Sequence, residues 1–273
     1  MVEVLVHFVA PALVGVLIGI ASGLLGIGGG TVMVPIFRLA FGMSATVSTA
    51  TSLFAIIPTS ISGAISHVKG KTCIPALGIA AGLGGACLSP VGVWLAQLSP
   101  DWLVMLAAAL IIGYSAINMF KKAFKWRPAG QPAAGVDAAA STADDSSLSR
   151  KQLLQGAAIG LVAGLASGYV GVGGGFIMVP LMLSIIGIPM RKASGTSLIA
   201  VMILAIPGVI EQGIIGNINY LAGIAIVIGT IPGAVIGARL VTKVPERTLR
   251  LLFGCFLIVA AVMLVLNEVG IFE

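Results

Sequence analysis

The chain has 273 residues, of which 58% are hydrophobic and 9% charged, with a net charge of +6. An ordinary soluble domain carries roughly 25% charged residues, so this chain has too few polar side chains to cover a soluble core. The positive balance is the Lys and Arg excess that cytoplasmic loops of membrane proteins carry, and no nucleic-acid partner is expected.

Apolar runs near the roughly 20 residues that cross about 30 Å of hydrocarbon recur along the chain. They predict an all-α integral membrane protein with the lipid bilayer as its surroundings. The first run covers 4–25. No basic residue precedes Arg38, so this run lacks the charged start of a cleavable signal and reads as a retained span. Runs at 31–43, 47–66, 74–97 and 102–120 follow. Residues 121–151, rich in Ala, Pro, Ser and Asp, are too polar to cross and read as a flexible linker. Five more runs lie at 152–170, 176–189, 194–212, 220–240 and 247–267. The domains expected are a first membrane repeat over 1–120, the linker over 121–151, and a second repeat over 152–273. Cys73, Cys87 and Cys255 are scattered, which suits neither a disulfide framework nor a metal site.

The second five runs repeat the first at an offset of 145 residues. Gly26-Ile27-Gly28-Gly29-Gly30 returns as Gly171-Val172-Gly173-Gly174-Gly175, and Val34-Pro35 as Val179-Pro180. Thr51-Ser52 falls on Thr196-Ser197 without a gap, and 19 of 49 residues between 15 and 63 match their partners. The chain is therefore one unit duplicated.

Charge orients the array. With the linker cytoplasmic, the clusters at Lys69 and Lys71, at Arg191 and Lys192, and at Arg239, Lys243, Arg247 and Arg250 all count to the same side. Both termini then lie outside. An odd number of segments per half makes the halves an inverted-topology repeat. The second segment of each half, about 14 residues or roughly 21 Å as helix, is short for a crossing. It is either a half-helix broken at the glycines or part of a re-entrant hairpin, and both put irregular backbone at membrane depth. Such backbone is tolerated where it is buried in protein or lines a cavity.

The spaced small residues Gly15, Gly19, Ser22, Gly23 and Gly26, and Gly160, Gly164, Ser167, Gly168 and Gly171, read as faces for close helix packing. Consecutive glycines do not fit that reading, since each costs a helix roughly 1 kcal/mol relative to Ala. Gly28, Gly29 and Gly30, with Gly173, Gly174 and Gly175, read instead as breaks that expose N–H groups at the start of a short helix, a ready anion site. A dinucleotide fingerprint is excluded, because Thr31 and Phe176 stand where its third glycine belongs. Thr51, Ser52, Thr196 and Ser197 are candidates to line the same site and donate to an oxyanion. Arg38, whose repeat partner is Leu183, either attracts the anion or snorkels to the external surface. Glu211 is simplest as an interfacial carboxylate, with proton coupling as the alternative. His67, opposite Gln212 in the repeat, is simplest as a solvated loop residue. No catalytic triad, carboxylate pair or metal-ligand cluster is present, and neither an enzyme nor a cofactor is expected.

Two copies of Gly-x-Gly-Gly-Gly-x-x-x-Val-Pro, each followed by a Thr-Ser pair in the next segment, resemble the TauE/SafE sulfite exporter family of bacterial membrane permeases. The resemblance covers the whole chain apart from the linker. It implies transport of a small sulfur-containing anion, such as sulfite, sulfoacetate or another organosulfonate, across the inner membrane. By motif position it singles out Gly28, Gly29, Gly30, Pro35, Gly173, Gly174, Gly175 and Pro180. A secondary transporter that alternates access by moving one repeat against the other is the expectation. Its energy would come from a coupling ion such as the proton, from the substrate's own gradient or from a partner protein. An anion channel on the same repeat, and a membrane subunit delivering reduced sulfur to an enzyme, are the alternatives.

Overall fold

The structure is a computed structural model and describes residues 10–124 and 149–268. Among these residues it is all-helical. The first half runs α1 (Ala10–Leu25), α2 (Gly30–Phe41), α3 (Ala45–Lys69), α4 (Pro75–Leu98) and α5 (Asp101–Phe124). The second runs α6 (Arg150–Val170), α7 (Gly175–Leu181, continued by a π turn over Met182–Ile186), α8 (Met190–Ile215), α9 (Tyr220–Leu240) and α10 (Glu246–Glu268). Seven of these helices are long and apolar enough to cross a membrane, and α1, α2 and α7 are the shorter apolar ones. Most of the predicted linker, 125–148, lies outside the described residues, as do residues 4–9 of the first predicted span. The linker's ends are helical, because α5 continues to Phe124 and α6 starts at Arg150.

Local chemistry sets the helix ends. Ser44 caps α3, its hydroxyl accepting from the Val47 N–H at 3.3 Å. Ser149 and Gln152 form a capping box at α6, satisfying two of the N–H groups a helix start leaves open. Pro75 opens α4, where its missing N–H costs nothing. Gly42, Gly187 and Gly216 close α2, the π turn and α8 in left-handed geometry.

The two halves interleave. The first helix of each half packs on the fourth helix of the other, α1 on α9 and α6 on α4, while the fifth helices α5 and α10 pack on each other. Glycine makes the first two pairings close. Positions 15, 19 and 23 of α1 lie against the backbone of 226, 230 and 234 of α9, so the two helices run parallel. Gly160, Gly164 and Gly168 of α6 lie in the same way against Ala81, Gly85 and Ser89 of α4. Backbone contact at this range gives the van der Waals attraction that holds helices together in lipid. The outer surface is apolar, with Leu17 69% and Ile214 82% exposed, as a bilayer-facing surface requires.

The α3 and α8 helices form the centre, in contact with each other. One end of the bundle is tied by Asp101, whose carboxylate accepts from the Ala45 N–H and the Thr46 hydroxyl, each at 3.3 Å. The other end gathers basic residues: Arg191 donates to the Val244 carbonyl at 2.8 Å, and Arg250 pairs with Glu246 at 3.3 Å.

Candidate functional site

The chain turns back at each glycine break. Gly26 takes the last α1 hydrogen bond, from its N–H to the Ser22 carbonyl at 2.8 Å. Gly29, at φ 88° and ψ −16°, is then the N-cap of α2, and Gly174, at φ 66° and ψ −18°, is the N-cap of α7. These left-handed values are open to glycine and strained for other residues. The 12 residues of α2 extend about 18 Å, roughly half the thickness of the bundle. They run from the level of Ile56, near the middle of α3, back to the start of α3. The α7 segment does the same beside Val201, near the middle of α8.

The breaks meet. A side chain on Gly30 would lie 2.5 Å from the Val172 carbonyl oxygen, and one on Gly175 would lie 2.9 Å from the Ile27 Cα. Ile56 and Val201, equivalent in the repeat, flank the junction. A Cβ on Gly28 would lie 2.9 Å from Val201, and one on Gly173 would lie 2.8 Å from Ile56. The glycines from 26 to 30 and from 171 to 175 are all buried. Two half-helices therefore point their N-termini at mid-height from opposite ends. Among the described residues no acceptor meets the N–H groups of Gly28, Gly29, Gly30 and Thr31, or those of Gly173, Gly174 and Phe176.

The Thr-Ser pairs tie the breaks together across the halves. Ser52 donates its hydroxyl proton to the Gly171 carbonyl at 2.9 Å, and Ser197 donates to the Gly26 carbonyl at 2.7 Å. Thr51 accepts from the Asn219 N–H at 3.0 Å, at the cap of α9. Thr196 accepts from the Ile74 N–H at 2.9 Å, at the cap of α4. All four side chains are fully buried. They lie beside the breaks, with the serine protons already engaged on backbone carbonyls.

Other hydroxyls near the breaks have no partner. Ser22, Thr31, Ser60, Ser89 and Ser167 are fully buried, and none makes a hydrogen bond. Ser22 lies beside Gly29 and Ser167 beside Gly174, while the Ser60 hydroxyl faces Gly28. The sequence reading used Ser22 and Ser167 only as small packing residues. The signal available was their recurrence directly ahead of both glycine clusters.

Arg38 sits in the last turn of α2 and is half-buried. It is eight residues, about 12 Å of helix, beyond the break. The solvated reading of His67 is incorrect: it lies inside α3 with no exposure. Its Nε2 donates to the Gly23 carbonyl at 2.8 Å, and its Nδ1 meets the Thr72 hydroxyl at 2.7 Å. Gln212 occupies the equivalent place, buried and accepting from Asn217 at 2.8 Å. The recurring polar pair, His67 with Thr72 and Gln212 with Asn217, was the sequence signal for burial.

A doubled glycine break inside a helical membrane bundle now has a family to compare with. The model of the family described as sulfite exporter TauE/SafE matches residues 11–264. The chain belongs to this family. It is similar to the probable membrane transporter protein YunE of Bacillus subtilis, 28% identical over 276 residues, covering 97% of this chain and 99% of the relative. The probable membrane transporter protein YdhB of the same organism is 28% identical over 239 residues, covering 87% and 92%. A probable membrane transporter protein of Haemophilus influenzae is 28% identical over 275 residues, covering 93% and 97%. No solved structure matches the chain at a significant level. Family and apolar helices together make this TauE/SafE member a multi-pass membrane transporter.

Proposed function

We propose that the protein is a secondary transporter, not an enzyme, that carries a small sulfur-containing anion such as sulfite, sulfoacetate or another organosulfonate across the bacterial inner membrane. The observation that carries this reading is the meeting of two helix N-termini at mid-height, each with open N–H groups and an unpartnered buried serine beside it. Partial positive charge at a helix start stabilises an anion without placing a full charge in the membrane. Gly28, Gly29, Gly30, Gly173, Gly174 and Gly175 supply the donors. Ser52 and Ser197 frame them by holding the opposite break, and Thr51 and Thr196 by holding the caps of α9 and α4.

The reciprocal packing supports two inverted repeats of five helices, and the gathering of basic residues at one end supports a cytoplasmic placing of that end. A break offered from both ends suits alternating access, in which one site is reached first from one side and then from the other.

The test is flux into proteoliposomes of sulfite, sulfoacetate, a larger aryl sulfonate and a carboxylate control, with and without a pH gradient. Saturable uptake of the sulfur anions with counter-transport is the expected result. Conductance-like flux that never saturates, or equal flux of the carboxylate, would sink the reading.

A further inference from the structure

The two breaks share a backbone and differ in the hydroxyls around them. Three fully buried hydroxyls without a partner surround the first break: Ser22 beside Gly29, Ser60 facing Gly28 and Thr31 in the first turn of α2. At the second break the equivalent positions are Ser167, Ala205 and Phe176, so a single hydroxyl remains. Ser89, the other unpartnered buried serine, faces Gly208. A buried hydroxyl left unsatisfied costs about 1–3 kcal/mol, and the three at this helix start are donors that meet no acceptor among the described residues.

The residues pressed against the first break are Ile18, Met33, Ile56, Val172 and Val201, none of which carries a charge. Arg38 is about 12 Å farther along the helix. An anion held here therefore meets neutral donors only. Taking charge out of water costs an amount that rises with its square, so a dianion costs about four times what a monoanion does. Neutral N–H and hydroxyl donors, with no cation beside them, offset the smaller cost more readily than the larger one.

We infer that the substrate site lies at the first break alone, formed by Ser22, Thr31, Ser60 and the N–H groups that open α2, and that it takes a singly charged oxyanion such as a sulfonate in preference to a dianion. The inference rests on the transport reading and narrows it, from donors at both breaks to those of the first, and from sulfur anions in general to those of one charge, which sets a simple sulfonate above the doubly charged sulfoacetate. The second break, with Phe176 where the first has Thr31 and Ala205 where it has Ser60, becomes a supporting copy against which the first is held.

The experiment is calorimetric binding of methanesulfonate and of sulfate to the purified full-length protein in detergent, followed by proteoliposome uptake of methanesulfonate. Ser22→Ala, Thr31→Val, Ser60→Ala and Ser167→Ala are compared with the unaltered chain. All four are near-isosteric or smaller, and their thermal unfolding midpoints check folding. Expected are methanesulfonate binding at least tenfold tighter than sulfate, a loss of roughly tenfold or more in affinity for each of the three first-break variants, and less than threefold for Ser167→Ala. Equal losses from Ser22→Ala and Ser167→Ala overturn the inference and leave the transport reading standing, as does tighter binding of sulfate. First-break variants that bind as the unaltered chain does also overturn it, and mean that the hydroxyls face water. Absence of saturable methanesulfonate uptake overturns the inference together with the reading beneath it.

Discussion

From Gly29 onward the first half continues as a 12-residue α-helix, whereas from Gly174 the second half gives only seven α-helical residues before a π turn. A third helix holds the π turn. Lys122 of α5 donates to the Pro180 carbonyl at 2.7 Å and also to Ser184, which itself donates to the Pro180 carbonyl at 2.6 Å. Leu183 and Ser184 stand where the first half has Arg38 and Leu39, so α2 lacks the hydroxyl of this cluster. A duplicated motif thus kept its backbone break while its surroundings diverged. One copy has three polar side chains without partners, and the other has one, with Phe176 and a lysine clamp beside its break. Identity of sequence motif marks where the chain must break, and the neighbours decide what the break can do.

The comparison can be pressed hardest at the shared contact. Gly30→Val and Gly175→Val each drive a side chain into the opposite break, and both should lose about 3 kcal/mol or more, or fail to yield monodisperse protein on size-exclusion chromatography. A tolerated valine at either position would mean that the junction is looser than its backbone distances indicate. Ser52→Ala and Ser197→Ala come next. Each strands a buried carbonyl of the opposite break, at about 1–3 kcal/mol, and thermal unfolding in detergent should show similar losses. If the junction acts as one unit, the double variant departs from additivity by at least 0.5 kcal/mol.

Lys122→Met tests the asymmetric half alone. It removes a charged donor from Pro180 and Ser184, at about 1.5–3 kcal/mol, and hydrogen exchange should rise at the π turn and not in α2. His67→Gln imports the side chain of the equivalent position, whose amide can still donate to the Gly23 carbonyl, so the unfolding midpoint should barely move. His67→Leu should cost about 1–3 kcal/mol. The smallest effect belongs to Arg38→Gln, which removes a positive charge from the last turn of α2 at about 0.3–1 kcal/mol. A tenfold loss of anion affinity in that variant would bring Arg38 into the site.

The sequence was informative about position along the chain and poor about contact across it. Apolar runs located every described helix closely, because lipid demands one simple pattern and the duplication supplies each segment twice. The glycine clusters marked the breaks for the same reason. The roles of Ser52 and Ser197 were not legible, since their acceptors lie 119 and 171 residues away. His67 was misread because the nearby Lys69 and Lys71 suggested water, whereas α3 runs on to Lys69 with His67 turned inward. The π turn had no local signature, because its lysine comes from α5.

The interleaving of the helices has a consequence for how such a protein could move. Since α1 is backed against α9 and α6 against α4 through backbone contacts, movement of one repeat against the other would have to slide or part both seams. A rearrangement that kept the seams would carry α1 with α9, and α4 with α6, as mixed pairs. Units bounded by these seams are cut across the internal repeat and not along it, and each takes one helix from either copy.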